Sequence, residues 1–161
     1  MIIREATKED VPKILPVWRE MMEFHAVRDA HFAICESADQ EFAKWISENI
    51  VKEDAIVYVA ESTKSIVAYC LCLISERPPV CEMKRQYGNL SDLAVAEKYR
   101  RDGIGEQIVE QAMEWFRSQG LKRVEVRVAV TNEISTRFWR KMGFSTYLET
   151  MSKPVDLPEQ T

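Results

Sequence analysis

The sequence contains little glycine and proline and no long hydrophobic run, and each shortage excludes a class of protein. Five glycines and six prolines among 161 residues are too few for a low-complexity chain, and an apolar content of 46% is too high for a disordered one. No stretch approaches the roughly 18 uninterrupted apolar residues that a membrane helix needs. Residues 1–5 reach charge too early for a signal peptide. We therefore expect one soluble, cytoplasmic domain, 1–153, with a short frayed tail, 154–161, and no membrane partner.

The chain also lacks an excess of positive charge and a metal-binding spacing of cysteines. Acidic residues (26) outnumber basic residues (22), so we expect no nucleic-acid partner, and any anion site must be local. Cys70 and Cys72 are two residues apart in an apolar run, which places them on one face of a predicted strand. We predict that all four cysteines, Cys35, Cys70, Cys72 and Cys81, are reduced, buried thiols, and we predict no metal site.

The spacing of hydrophobic residues predicts alternating strands and helices. Two of the predicted strands form a hairpin around the polar residues 62–64. The order β-α-α-β-β-β-α-β-α-β is typical of an α/β domain in which helices cover a mixed sheet. The predicted strands are 2–6, 55–60, 65–74, 89–95, 121–130 and 144–151. The first predicted helix begins at a Thr7–Asp10 capping pair, and the second covers 38–51. The third begins at Ile104 and ends at Gly120, and the fourth is capped by Asn132 and ends at Gly143.

A glycine-containing loop between a predicted strand and a predicted helix carries the clearest chemistry. Gly103 and Gly105 lack the Cβ atoms that would keep a phosphate away from the backbone. The start of a helix offers unpaired N–H groups and a partial positive charge. Arg100 and Arg101 add donors for phosphate oxygens. This pattern predicts a site for a phosphate or diphosphate, bound mainly through main-chain N–H groups.

Two common phosphate-binding motifs do not fit this loop. A Walker loop requires Gly-Lys-Ser/Thr, but Gly105 is followed by Glu106 and Gln107. A dinucleotide-binding fingerprint requires a third glycine where Ile108 stands. Kinase-like and dehydrogenase-like interpretations are therefore excluded on residues, whereas a general nucleotide-phosphate binder is still an alternative at this point.

The pattern Arg-x-x-Gly-x-Gly after a strand that ends in Leu-Ala-Val closely resembles the acyl-CoA loop of the GNAT superfamily of N-acetyltransferases. A second motif of that family, Asn-x-x-(Ala/Ser)-x-x-(Phe/Leu)-Tyr-x-Lys-x-Gly-Phe, follows at the right distance, and it argues against the general nucleotide binder. The two motifs span residues 90–144, about a third of the chain. The residues that match the second motif are Asn132, Ser135, Phe138, Lys141, Gly143 and Phe144, with Trp139 in the place of the tyrosine.

The resemblance implies a fold and a function. The implied fold is a mixed, mostly antiparallel sheet of six or seven strands with a splay between the fourth and fifth strands, flanked by about four helices. The implied activity is transfer of an acetyl group from acetyl-CoA to a primary amine of a small molecule or peptide by direct attack, with a catalytically weak acyl-CoA-sensing module as the alternative. A homodimer is a further expectation. The implied cofactor residues are Leu93, Ala94 and Val95 on the strand, Arg100, Arg101, Asp102, Gly103, Ile104 and Gly105 in the loop, and Asn132, Ser135, Phe138 and Trp139 on the far wall.

Asp92 and Glu125 are the candidate general bases. Asp92 lies in an apolar strand beside the expected thioester, where an unpaired carboxylate would be costly. An ion pair with Arg127 is an equally weighted structural interpretation of Asp92. Glu125 shares a predicted strand face with Arg127 and could act through a water.

Many members of the family use the motif tyrosine as the acid that protonates the departing sulfur. Trp139 stands in that position, and an indole N–H is not a usable acid. Either water or another residue protonates the thiolate, or the thiolate leaves without an acid, or the protein binds acyl-CoA without efficient turnover. We favour the second, because proximity and an oxyanion site can supply most of the rate.

Overall fold

The computed structural model describes residues 1–78 and 85–153, so Cys81 and the predicted tail 154–161 lie outside the described residues. All four predicted helices are present. The helices are α1 (Val11–Ala26), α2 (Ala38–Ile50), α3 (Ile104–Ser118) and α4 (Glu133–Lys141), and the strands are β1 (Ile2–Glu5), β2 (Ala55–Ser62), β3 (Ser65–Glu76), β4 (Gln86–Val95) and β5 (Val124–Val126). Among the described residues, no helix combines the length and the apolar character needed to cross a membrane.

The strands form one mixed sheet in the order β1-β2-β3-β4-β5. The first four strands pair antiparallel, and β4 and β5 pair parallel. The expected mixed, mostly antiparallel sheet is therefore confirmed, but the described residues contain five strands instead of six or seven.

The missing strand is the one predicted at 144–151, and that prediction is wrong. The Phe144 amide instead donates to the Trp139 carbonyl at 2.9 Å, and the Tyr147 ring lies 3.8 Å from the Arg123 guanidinium. Leu148 is 72% exposed, so apolar composition did not lead to burial here. The strand predicted at 121–130 is shorter than expected, since only Val124–Val126 pairs with β4. Because β5 has only three residues, it offers little backbone with which residues 144–151 could pair.

Each face of the sheet carries its own core. On one face, α3 packs over β2, β3 and β4, and α4 joins the same core through Trp139, with Leu90, Ile108 and Phe116 almost fully buried. On the other face, α1 and α2 pack over β2 and β3, and the Trp18 and Phe42 rings stack at 4.3 Å.

The cysteine prediction is confirmed in part. Cys70 and Cys72 are free, buried thiols on one strand, with their sulfur atoms 3.7 Å apart. Cys35 is also free but exposed, because it lies in the loop that precedes α2 and not in a core element, so the prediction that it is buried is wrong.

A bulge in β4 and its short pairing with β5 leave an opening beside the predicted site. Leu71 faces Asp92 across the β3–β4 ladder while Cys72 faces Leu90, so Ser91 is an extra residue in β4. The ladder with β5 covers only residues 88–90 of β4. Among the described residues, residues 92–95 of β4 pair with β3 and not with β5. The strands β4 and β5 therefore separate at the position of the expected splay.

Candidate active site

The predicted phosphate loop connects the end of β4 to the start of α3. A short 3-10 turn, Glu97–Tyr99, leads into the loop, and Gly103 directly precedes the first residue of α3 with φ at 76°. Arg101 also has a positive φ, 73°, which is unusual for a residue with a Cβ atom. The left-handed backbone turns the chain sharply, so that the N–H groups of the first turn of α3, which have no partner within the helix, are available to a ligand.

The loop, β4 and α4 meet at Gly105. A Cβ atom at this position would lie 3.4 Å from the Phe138 ring and 3.7 Å from a methyl group of Val95. The structure thus brings the two sequence motifs together, although they are about 30 residues apart in the chain. Without a side chain, Gly105 leaves the space between these three elements unfilled.

The side chains of the loop differ in where they lie. Arg101 and Asp102 are exposed, whereas Ile104 is 3% exposed and packs in the core, so only its backbone can face a ligand. The Arg100 side chain turns back from the loop, where its Nε donates to the Val95 carbonyl at 2.9 Å. The Arg100 guanidinium also donates to Glu20 on α1, a residue that sequence analysis missed.

Helix α4, on which the predicted far wall lies, packs against the start of α3. The predicted cap is confirmed, because Oδ1 of Asn132 accepts from the Ser135 amide at 3.0 Å. Phe138 is half-buried against Gly105, and an ion pair between Lys141 and Glu106 also connects α4 to α3. Trp139 is buried among core residues, with Phe138 and Phe144 stacked edge-on against it, so a cofactor contact from its indole remains a prediction.

Asp92 lies on the opposite face of the sheet, with the core of α1 and α2. The hydroxyl of Tyr69, which is fully buried, donates to Oδ2 of Asp92 at 3.0 Å. Among the described residues Asp92 forms no ion pair with Arg127, so the structural interpretation that was weighed equally with a catalytic one is wrong in its partner. Burial raises the pKa of Asp92 above its usual value, and the hydrogen bond from Tyr69 acts in the opposite direction. The sequence could have indicated Tyr69 as a residue of this site, because a tyrosine in an apolar strand needs a hydrogen-bond partner for its hydroxyl.

Glu125, the second candidate base, is surrounded by cations. Its carboxylate pairs with Arg77 and accepts from Nε of Arg123 at 2.7 Å. The two candidate carboxylates therefore differ in their hydrogen-bond partners. Asp92 accepts from a neutral hydroxyl, whereas Glu125 accepts from two guanidinium groups. Among the described residues no group of three His, Cys, Asp or Glu side chains could hold a metal ion.

Known proteins share both this fold and its sequence pattern. The model of the Acetyltransferase (GNAT) family matches residues 18–144. The chain spans less than two thirds of the length of two curated relatives that it matches. One of them, an uncharacterized N-acetyltransferase of Methanocaldococcus jannaschii, is 25% identical over 145 residues, which are 88% of this chain and 59% of that protein.

Solved structures agree on the fold. A tetramutant of the BH1408 protein from Bacillus halodurans has a TM-score of 0.86 at 25% identity, with 96% of this chain and 100% of that chain covered. The aminoglycoside N-acetyltransferase AAC(6')-Iy, solved in complex with CoA, has a TM-score of 0.78 at 12% identity, with 97% and 95% covered. Because the family model covers most of the chain and includes both motifs, this protein belongs to the GNAT family of acetyltransferases.

Proposed function

We propose that this protein transfers an acetyl group from acetyl-CoA to a primary amine of a small molecule or peptide. The observation that carries the proposal is the meeting of Val95, Gly105 and Phe138 beside the opening between β4 and β5. Family membership supports acetyl-CoA as the donor, and the solved neighbour with CoA has the same fold.

The residues of the loop fit a diphosphate. The left-handed Gly103 and the start of α3 supply main-chain N–H groups, and the exposed Arg101 adds positive charge. Leu93, Ala94 and Val95 would offer backbone groups to the pantetheine arm, in the manner of a ligand that adds to a sheet edge. Asn132, Ser135 and Phe138 would form the opposite wall of the acetyl-CoA site.

In the proposed reaction the amine nitrogen attacks the thioester carbonyl carbon, a C–N bond forms, and the C–S bond breaks. The proton lost from nitrogen goes to Asp92, and CoA leaves as a thiolate. Asp92 is the better candidate base because burial raises its pKa toward the working range and its partner is a neutral hydroxyl. Glu125, already paired with two cations, is the weaker candidate.

The position of Trp139 supports departure of the thiolate without an acid. Its indole is buried in the core, with 6% exposed. A thiol has a pKa of about 8.5, so a thiolate is a tolerable leaving group near neutral pH. The same observation favours the second candidate function, an acyl-CoA-binding module with little turnover.

An assay of thiol release from acetyl-CoA separates the acetyltransferase from the binding module. The acceptors to be tested are polyamines, aminoglycosides, amino acids and peptides. No release above background with any amine would favour the binding module.

Thermal denaturation in the presence of acetyl-CoA tests the proposed site. At about 100 times Kd the ligand should stabilise the protein by about 2.7 kcal/mol, which corresponds to roughly 5–10 °C in Tm. ATP and NAD should leave Tm unchanged, and an equal response to either would contradict an acyl-CoA site.

Two glycines allow a matched comparison of variants. Gly103 and Gly120 both have a positive φ, 76° and 71°, so alanine costs a similar backbone strain at each. Gly120 lies at the far end of α3. We expect Gly103→Ala to lose the response to acetyl-CoA, because the new Cβ atom obstructs the loop, while Gly120→Ala keeps it. An equal response in both variants would contradict the loop as the site.

A further inference from the structure

Glu20 in the middle of α1 connects this helix to the entrance of the phosphate loop. One of its carboxylate oxygens, Oε1, accepts from the backbone N–H of Glu97 and from the Arg100 guanidinium, each at 2.7 Å. Arg100 also donates to the Val95 carbonyl at 2.9 Å. These three hydrogen bonds join α1, the end of β4 and the turn before the loop, although Glu20 lies 77 and 80 residues from its two partners in the chain.

The contact is partly exposed, which indicates what it contributes. The side chains of Arg100 and Glu20 are 37% and 39% exposed. An ion pair of this kind adds only about 0–1 kcal/mol to global stability. Its effect is local. The contact holds the Val95 carbonyl and the Glu97 amide, which lie on either side of the point where the chain leaves β4.

The Arg100 side chain is engaged in this contact. The resemblance predicted that it reaches the diphosphate, but its Nε and one terminal nitrogen already donate to Val95 and Glu20. The loop therefore depends more on its main-chain N–H groups for an anion. Such groups bind well only when they are already oriented before the ligand arrives.

We propose that Glu20 is a positioning residue of the acetyl-CoA site. Through the Glu97 amide and Arg100 it sets the path of the backbone from β4 into the loop, and so it orients the N–H groups that hold the diphosphate. This inference rests on the proposed function. It assigns to α1, a helix outside both sequence motifs, a direct part in affinity for the cofactor.

The test compares variants of α1 in CoA binding and in steady-state kinetics. Glu20→Ala removes the acceptor, and Glu20→Gln keeps an oxygen for the Glu97 amide but removes the charge. Glu23→Gln is the matched control, because Glu23 lies on the same helix and carries the same charge, and among the described residues its carboxylate interacts with Arg19 only at longer range, without contact to the loop. We expect Glu20→Ala to raise the Kd of CoA and the KM of acetyl-CoA about tenfold, with kcat within about twofold of wild type. Glu20→Gln should fall between, and Glu23→Gln should match wild type.

Two further measurements separate positioning from a general loss of structure. The unliganded Tm of Glu20→Ala should stay within a few degrees of wild type, while hydrogen exchange of the amides in residues 97–105 becomes faster. The rise in Kd of the double variant with Arg100→Ala should be smaller than the two single effects combined, because each substitution removes the ion pair between Glu20 and Arg100.

The outcomes distinguish this inference from the function on which it rests. A wild-type protein that does not bind CoA would overturn both. Wild-type binding together with an unchanged Kd and unchanged loop exchange in Glu20→Ala and Glu20→Gln would overturn the role of Glu20 alone. If Glu20→Ala fails to fold, the charge-removing Glu20→Gln decides the question in the same way.

Discussion

Asp92 and Glu125 show how the surroundings of single residues separate two similar carboxylates. Both were candidate bases, and both occur in strands that border the opening. Glu125 accepts from two guanidinium groups, those of Arg77 and Arg123, and both donate to its Oε1. Asp92 has a single neutral donor, and burial raises its pKa. A carboxylate that is short of charged partners and partly desolvated is better suited to accept a proton from an amine.

A pH–rate profile tests the role of Asp92. In the wild type, kcat/KM should fall as pH falls through the raised pKa of Asp92, because the base becomes protonated. Asp92→Asn should lower the rate at neutral pH by about 10²-fold or more and recover partly as pH rises, because the amine then loses its proton without help. Tyr69→Phe should move the acidic limb of the profile to higher pH, because the lost hydrogen bond normally lowers the pKa of Asp92. A profile whose limb is unmoved in both variants would exclude Asp92 as the base.

Stability provides the control for that experiment. Because the folded-state pKa of Asp92 lies above the ordinary value of 3.8, the stability linked to its protonated form is present below that value and is lost as pH rises through the folded pKa. At neutral pH the uncharged Asp92→Asn should therefore unfold at the same urea concentration as wild type or at a higher one. A less stable variant with the same loss of rate at every pH would instead indicate a structural role.

At the level of elements, the β2–β3 hairpin carries avoidable strain. Ser62 pairs with Ser65, so Thr63 and Lys64 form a two-residue turn, and both have positive φ, 48° and 68°. Such turns favour Asn-Gly, because each central residue must adopt the left-handed conformation. The polar sequence predicted the hairpin correctly, but it did not predict this backbone.

Replacement of the turn by Asn-Gly should relieve the strain. We expect the double variant Thr63→Asn, Lys64→Gly to raise the free energy of unfolding by about 1 kcal/mol. Urea denaturation measures the change. The Kd of CoA should stay the same, because the turn lies outside the residues of the site. A decrease in stability would show that the wild-type side chains make contacts worth more than the strain.

For the whole molecule, a partly buried ion pair connects the first strand to the start of the first helix. Arg4 on β1 donates to both carboxylate oxygens of Asp10, at 2.7 and 2.9 Å, and also pairs with Glu61 on β2. The Thr7 amide donates to the same carboxylate at 2.9 Å. These contacts, the hydrogen bond to Arg4 first among them, lower the pKa of Asp10 from 3.8 to about 2.

Acid denaturation should reveal this contact. A lowered pKa means that the stability is present above pH 3.8 and is lost as pH falls toward about 2. The shift corresponds to roughly 2 kcal/mol, so Asp10→Asn should lose about that much at pH 7 and progressively less at lower pH. The comparison is Asp39→Asn, which removes an exposed pair with Arg19 and should cost less than about 1 kcal/mol. Equal losses in the two variants would show that burial of Asp10 has no effect.

Features that depend on residues close together in the chain could be predicted from the sequence. The four helices and the Asn132 cap follow from residue spacing and capping chemistry, both of which act within a few residues. The two motifs are equally local, so the loop between β4 and α3 could be located from them alone.

Features that join distant segments came only from the folded chain. Tyr69 reaches Asp92 across a strand ladder, Glu20 reaches Arg100 from another helix, and Cys35 is left in an exposed loop. The predicted strand at 144–151 failed for the same reason, since a strand forms only where another strand offers it an edge, and β5 is three residues long. Pairing partners, register and the electrostatic surroundings of a side chain depend on which segments meet, and amino-acid spacing along the chain does not contain that information.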